Sequence, residues 1–174
     1  DAPAVTRELE RRFTISSACG ICGTDQIDDL KNRGCSHLEK PNLNIEELAK
    51  LPDLMRTRQS IFDKTGGLHA AALFDENGNI KVIREDVGRH NAVDKVIGWA
   101  LMQKLIPLKG WSLTISGRGG FEIVQKSVAA GLSAMISVSA PTSLAVETAR
   151  EFNLTLLGFA RDGKATIYSP DPGN

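Results

Sequence analysis

Residues 111–160 read WSLTISGRGGFEIVQKSVAAGLSAMISVSAPTSLAVETAREFNLTLLGFA. Three apolar runs of strand length, Trp111 to Ser116, Ala134 to Ser139 and Leu154 to Ala160, alternate with two stretches of helical length, Phe121 to Ala130 and Thr142 to Phe152. Strands and helices that alternate at this spacing form parallel strands joined by crossover helices. Upstream, Val93, Val96, Ile97, Ala100 and Leu101 recur at helical spacing. Leu68 to Phe74 and Ile80 to Arg84 read as two strands around the hairpin turn Glu76-Asn77-Gly78-Asn79. Asn44 can cap a helical start at Ile45, and Pro52 predicts the first turn of a helix running to about Asp63, stopped by Gly66-Gly67. Downstream, Asp162-Gly163 turns into a last strand, Ala165 to Tyr168. The expected fold is α/β: a three-layer α/β/α sandwich with a mixed sheet, in which the hairpin adds an antiparallel member. The pattern changes near Asn44, which divides the chain into an N-terminal segment, 1–43, and an α/β domain, 44–174.

Composition narrows the function classes. A chain of 174 residues with 41% apolar residues builds one domain with a core, or one domain plus an appendage. Its 21 basic and 21 acidic residues cancel, so no global charge draws it to nucleic acid or a membrane surface. Its apolar runs are too short to span a bilayer. Three cysteines do not make a disulfide framework, which with the charged opening Asp1 to Arg12 makes the cytoplasm the default compartment. The missing initiator Met suggests a fragment or a processed chain.

Ligands of open α/β sheets bind beyond the carboxyl ends of the strands. Two junctions there have unusual composition. Ser116-Gly117-Arg118-Gly119-Gly120 lets backbone N–H groups approach an anion ahead of a helix, with Arg118 as a planar fork for phosphate or carboxylate. Ser139-Ala140-Pro141-Thr142-Ser143 opens the next helix with hydroxyls that cap it or donate to a phosphate. Tight turns with ordinary caps explain both junctions equally well, and neither the Walker nor the G-x-G-x-x-G signature is present. Arg84 to Lys95 is a second dense cluster, carrying Arg89 and His90; its plain reading is a solvated helix start with Asp86 as cap. His69 lies in an apolar stretch, where a hydrogen-bonded core histidine is the commoner role.

The remaining signal is Cys19-Gly20-Ile21-Cys22-Gly23. Paired thiols can share a metal, exchange a disulfide or hold sulfur as a persulfide, each of which needs a lowered thiol pKa. Cys19, Cys22, Cys35 and His37 form C-x2-C-x12-C-x-H, a possible zinc quartet whose last interval is shorter than most zinc spacings. A thioredoxin-like exchanger places its pair at a strand-to-helix junction of a βαβ unit, which this context does not offer. Flanking glycines predict a mobile loop, and a mobile loop with paired thiols suits a sulfur carrier.

These motifs together resemble the formate dehydrogenase accessory sulfurtransferase family, FdhD. The matching stretches are Cys19 to Gly23, Thr65 to Ala71, Glu85 to Lys95, Ser116 to Arg118, Phe121 to Ser127, Ser139 to Pro141, Leu144 to Glu147 and Thr155 to Phe159. The resemblance implies a protein that accepts sulfur from a cysteine desulfurase and passes it to the molybdenum (or tungsten) cofactor in its bis-guanine-dinucleotide form, before insertion into the formate dehydrogenase catalytic subunit. It implies Cys19 as the persulfide-bearing residue and Cys22 as its partner. It implies that Leu157-Gly158-Phe159-Ala160-Arg161-Asp162 contact the guanine nucleotide, and it carries a cytidine-deaminase-like fold and a homodimer. Combined with the junction reading, Ser116, Gly117, Arg118 and Arg89 would meet the diphosphates, with His69 or His90 lining the pocket. Members of the family carry a further segment upstream of the CxxC, where only 18 residues stand here, so 1–43 reads as the remnant of a longer region.

Two other functions compete. A zinc-dependent deaminase needs H-x-E followed by P-C-x-x-C, but Ala71 and Ala92 stand two residues after His69 and His90, and the CxxC precedes both. A non-catalytic zinc-containing chaperone that holds the cofactor would need Cys35 and His37 as ligands, whereas a sulfur carrier would not.

Overall fold

The computed structural model describes residues 23–60 and 62–170. The mixed six-stranded sheet is as anticipated, built from β1 (His69–Phe74), β2 (Ile80–Asp86), β3 (Ser112–Ile115), β4 (Ala134–Ser137), β5 (Thr155–Arg161) and β6 (Lys164–Ser169) in the order β2-β1-β3-β4-β5-β6. Only β3, β4 and β5 pair in parallel. The hairpin contributes more antiparallel pairing than anticipated: β1 lies between β2 and β3 and runs antiparallel to both, and β6 adds a further antiparallel edge.

Three helices, α4 (Arg89–Met102), α5 (Phe121–Ala129) and α6 (Ser143–Glu151), make the crossovers β2 to β3, β3 to β4 and β4 to β5. All three crossovers advance the same way across the sheet. Right-handed crossovers that advance one way must lie on one face. Their buried residues accordingly share a single core: Val93 and Val96 of α4, Ile123 and Val124 of α5, and Ala145 and Ala149 of α6 pack with Leu73, Leu113, Met135 and Leu156 of the strands. Leu30 of α1 (Gly23–Asn32) joins the same core. This helix was not legible in the polar sequence before Asn44.

The other face is covered by α2 (Ile45–Arg56), whose Leu48, Leu51 and Met55 lie on Ala70, Ala72, Phe74, Ala134, Ile136 and Leu157. Asn44 caps it as anticipated, in a capping box with Glu47: the Asn44 side chain accepts from Glu47 N at 2.9 Å, and Asn44 N donates back to Glu47 Oε2 at 2.8 Å. Pro52, read above as opening a second helix, instead lies inside α2. A proline there removes one hydrogen bond to the preceding turn. The apolar stripe Leu48-Leu51-Met55 runs across it and keeps the helix on the sheet. The segment that the sequence joined to it is separate, a single turn α3 (Phe62–Thr65) tied to β2 by Phe62 N donating to Glu85 Oε1 at 2.8 Å.

Several strand positions on the α2 side are small: Ala70, Ala72 and Ala134 lie beneath the helix with the larger Phe74, Ile136 and Leu157, and Ser112 and Thr114 are also buried. Ser112 Oγ and Thr114 Oγ1 have no hydrogen-bond partner. No described helix is long and apolar enough to cross a membrane.

Candidate functional site

The carboxyl ends of β3, β4 and β5 share one edge of the sheet. Because β1 runs antiparallel to β3, its first residue, His69, arrives at that same edge, paired in register with Asp86 at the end of β2. On the α2 side this edge holds a cavity of about 450 Å³. Its walls come from the end of α2 (Pro52, Asp53, Met55, Arg56), the following segment (Gln59, Phe62, Gly66, Gly67, Leu68), His69, and the strand ends Ser116, Val138, Ala160 and Arg161. A volume of this size suits a small-molecule ligand or one end of a larger one.

Local interactions fix the walls. Ser116 Oγ accepts from Ala70 N at 2.8 Å, and Ser116 N donates to Ala70 O at 3.0 Å, so the β1–β3 pairing continues past the strand end. The Arg56 guanidinium stands 4.8 Å from the centre of the Phe62 ring, a cation–π contact on the cavity wall. Asp162 and Gly163 have φ of 52° and 68° and turn β5 into β6 in two residues. The Asp53 carboxylate accepts from both of their N–H groups, at 3.3 and 3.0 Å. One α2 side chain therefore anchors the turn next to Arg161.

Beside the cavity the Gly117 junction brings Arg89 up to the wall residue His69. A Cβ on Gly117 would stand 3.2 Å from Arg89 Cδ and 3.3 Å from His69 Nδ1, so glycine lets these two side chains close over the backbone. Arg89 Nε is buried without a hydrogen-bond partner, an orphaned donor suited to an incoming anion. His90 points elsewhere: its Nε2 is 3.9 Å from Glu122 Oε2 and has no hydrogen bond. Burial, followed by the neighbouring Arg89 charge, lowers the His90 pKa below its ordinary 6.5.

Asp86 does not cap α4; Gly88 holds that position. Its carboxylate accepts from Lys95 Nζ at 2.5 Å, Gly88 N at 2.9 Å and Asn91 Nδ2 at 3.1 Å. The Lys95 bond, then the other two, pull its pKa from 3.8 to about 2.

The two junctions hydrogen-bond to each other: Gly119 N donates to Ala140 O at 3.3 Å, and Thr142 N to Gly119 O at 3.0 Å. Gly120 N donates to Arg118 O at 3.1 Å. Those three donors build the loops, so they are not offered to an anion as the sequence suggested. Arg118 is exposed and does not line the cavity.

Within 157–162, Ala160 and Arg161 line the cavity, while Leu157 is buried in the core under α2. Gly158 is packed so closely that a Cβ would lie 2.8 Å from both Pro141 Cδ and Tyr168 Cε2. Phe159 has φ of 51° and is 55% exposed. Asp162 is exposed in the turn. Cys19 and Cys22 lie outside the described residues. Cys35 is a free thiol packed against the helix-side core, and His37 Nδ1 lies 3.3 Å from Asn153 Nδ2. Among the described residues no group of three or more His, Cys, Asp or Glu is placed to hold a metal ion.

Residues 2–172 match the sequence profile of the FdhD/NarQ family. The chain belongs to the FdhD/NarQ family. It is 48% identical over 164 residues to the sulfur carrier protein FdhD of Streptomyces avermitilis, covering 92% of this chain and 58% of that one. Identity is 45% to the protein of the same name from Mycolicibacterium paratuberculosis, over 93% of this chain and 60% of that one. A third, from Picrophilus torridus, is 45% identical over 91% of this chain and 61% of its own. Among solved structures, a candidate formate dehydrogenase accessory protein from Desulfotalea psychrophila superposes with a TM-score of 0.71 at 26% identity, covering 83% of this chain and 60% of that one. The chain thus spans about three-fifths of the length of these FdhD relatives.

Two wall residues, Gln59 and Arg56, were not singled out by the sequence. Each sits where α2 gives way to irregular chain, with no motif to mark it.

Proposed function

We propose that this chain carries sulfur from a cysteine desulfurase to the molybdenum or tungsten bis-guanine-dinucleotide cofactor destined for formate dehydrogenase. The observation that carries this reading is the convergence of His69, Ser116, Ala160 and Arg161 on one cavity at the carboxyl edge of the sheet. These residues come from three separate stretches of sequence. The names of the related FdhD proteins as sulfur carriers support the same reading.

The chemistry belongs to the thiol pair. The Cys19 thiolate attacks the outer sulfur of the desulfurase persulfide; the desulfurase thiolate leaves and Cys19 becomes the persulfide. The Cys22 thiolate then attacks the Cys19 sulfur, expelling hydrosulfide toward the bound cofactor and leaving a Cys19–Cys22 disulfide. A cellular dithiol reduces that disulfide and completes the cycle. The cofactor is cargo in this scheme. Arg161 and the orphaned Arg89 Nε supply positive charge for its diphosphates, and the cavity admits only part of so large a molecule.

Intact mass after incubation with a cysteine desulfurase and free cysteine tests the transfer. Wild type is expected to gain one reductant-labile sulfur, and Cys19→Ala to gain none. An equal gain in Cys19→Ala would remove that residue from the role.

A further inference from the structure

Gln59 is 3% exposed, yet its side chain has no hydrogen-bond partner among the described residues. A carboxamide this enclosed usually has a partner, because a hydrogen bond left unmade away from bulk water is costly. The residue lies on the cavity wall, which Arg56 and Phe62 also line. Its polar atoms are not among those sealed from solvent without a partner, so whatever contact they have is with the cavity. A water there would satisfy the amide in the free protein and leave when a better partner arrives.

The amide's chemistry narrows that partner. A carboxamide offers an acceptor and donors side by side. A phosphate has only acceptors, so it would leave the Gln59 oxygen unpaired; the arginines nearby suit it better. A lactam edge, one N–H beside one C=O, pairs with both ends of the amide at once. Flat walls are at hand in the Phe62 ring and the Arg56 guanidinium stacked on it.

We propose that Gln59 is the specificity-determining residue of the cavity, donating to the ring carbonyl and accepting from the ring N–H of a 2-amino-4-oxopyrimidine edge. Guanine and pterin both carry that edge, so either end of the cofactor can present it. The proposal rests on the cavity reading above and adds the residue that recognises the heterocycle.

Titration calorimetry on the full chain with GDP, IDP and neopterin tests it. Gln59→Leu, close in size but apolar, is expected to weaken the ligand that binds here at least tenfold, since its polar edge is then buried unpaired. Loss for GDP assigns the guanine end; loss for neopterin assigns the pterin end. IDP keeps the lactam edge and lacks only the exocyclic amino group, so at Gln59 it should bind about as well as GDP. Gln59→Glu can only accept, and would shift its contacts to the N–H and the exocyclic amino group. The ratio of GDP to IDP affinity should therefore rise about tenfold in that variant, an effect that a merely space-filling role would not produce. Circular dichroism melts check that both variants fold; if Gln59→Leu does not, the ratio in Gln59→Glu decides.

Unchanged affinities in Gln59→Leu, with weakened binding in Arg161→Ala, would overturn the role of Gln59 and leave the cavity reading standing. Binding of none of the probes by wild type, or binding insensitive to both substitutions, would overturn the two together.

Discussion

The two faces of the sheet differ in how they are covered. On one, α4, α5 and α6 lie over the strands with α1 packing in, and large side chains such as Leu73, Leu113, Ile123 and Leu156 are wholly buried between them. On the other, α2 is the one long helix among the described residues, crossing small Ala70, Ala72 and Ala134 together with Phe74, Ile136 and Leu157, and where it ends at Arg56 the sheet edge opens into the cavity. The asymmetry follows from handedness: three right-handed crossovers advancing one way place all three crossover helices on the first face and leave the second to helices that precede β1. A binding cavity arises where helical cover runs out over the carboxyl ends of the strands.

Truncation on each face gives the largest expected effect. Leu113→Ala, on the sealed face, should cost about 3–4 kcal/mol, because its packed neighbours cannot collapse into the void. Met55→Ala removes a similar volume from the cavity wall, where the space joins one that solvent can reach. Its cost should stand near the low end for such changes, about 2 kcal/mol. Urea denaturation of both variants at constant slope checks the order. Equal costs would mean that the cavity wall is packed as tightly as the core, which would break the comparison.

Gly158 follows Leu156 by two residues on the sealed face of β5, and a smaller effect is expected there. Gly158→Ala places a methyl 2.8 Å from the rings of Pro141 and Tyr168, with Ser139 O at 3.3 Å behind it. Overpacking of this kind costs about 1–3 kcal/mol. A shift in denaturation midpoint below about 0.5 kcal/mol, against the range given for overpacking, would show that Pro141 or Tyr168 yields freely.

The fold was legible in residues 111–160 because each strand is a compact apolar run and each helix shows its own stripe. Two features were hidden. Helix α1 offers the core one buried residue, Leu30, and one partly buried residue, Ile27, and a single pair is too little for a periodic signal. Pro52 reads locally as a helix start, and only the packing of Leu48, Leu51 and Met55 on the sheet shows that α2 continues through it. At the site, His69, Ser116, Ala160 and Arg161 were named from resemblance and junction composition. Their meeting could not be read, since it depends on the antiparallel insertion of β1 beside β3. Gln59 carried no signal at all: a glutamine after a helix is unremarkable until its burial and missing partner are seen.

The smallest effects concern two groups flanking Arg89, which titrate in separate windows. Asp86, held near pKa 2 by Lys95, Gly88 and Asn91, binds its proton less readily when folded than when unfolded. The stability it contributes is present above its ordinary 3.8 and is lost as pH falls through about 2. His90 is also depressed, below 6.5, mainly by burial and then by the Arg89 charge, so here too the unfolded chain binds the proton more readily. Stability should therefore fall as pH drops from 6.5 toward the folded value of His90, and His90→Gln should remove that part of the slope. Asp86→Asn should leave the His90 window intact and flatten the profile only below about pH 4, near the carboxylate's ordinary range. Thermal melts from pH 7 to pH 2 separate the two, and NMR titration of the His90 ring gives its pKa directly. A His90 value above 6.5 would mean that Glu122, 3.9 Å away, outweighs both burial and Arg89. The imidazole would then carry positive charge beside Arg89 at mildly acidic pH, and this part of the site would attract anions more strongly as pH falls.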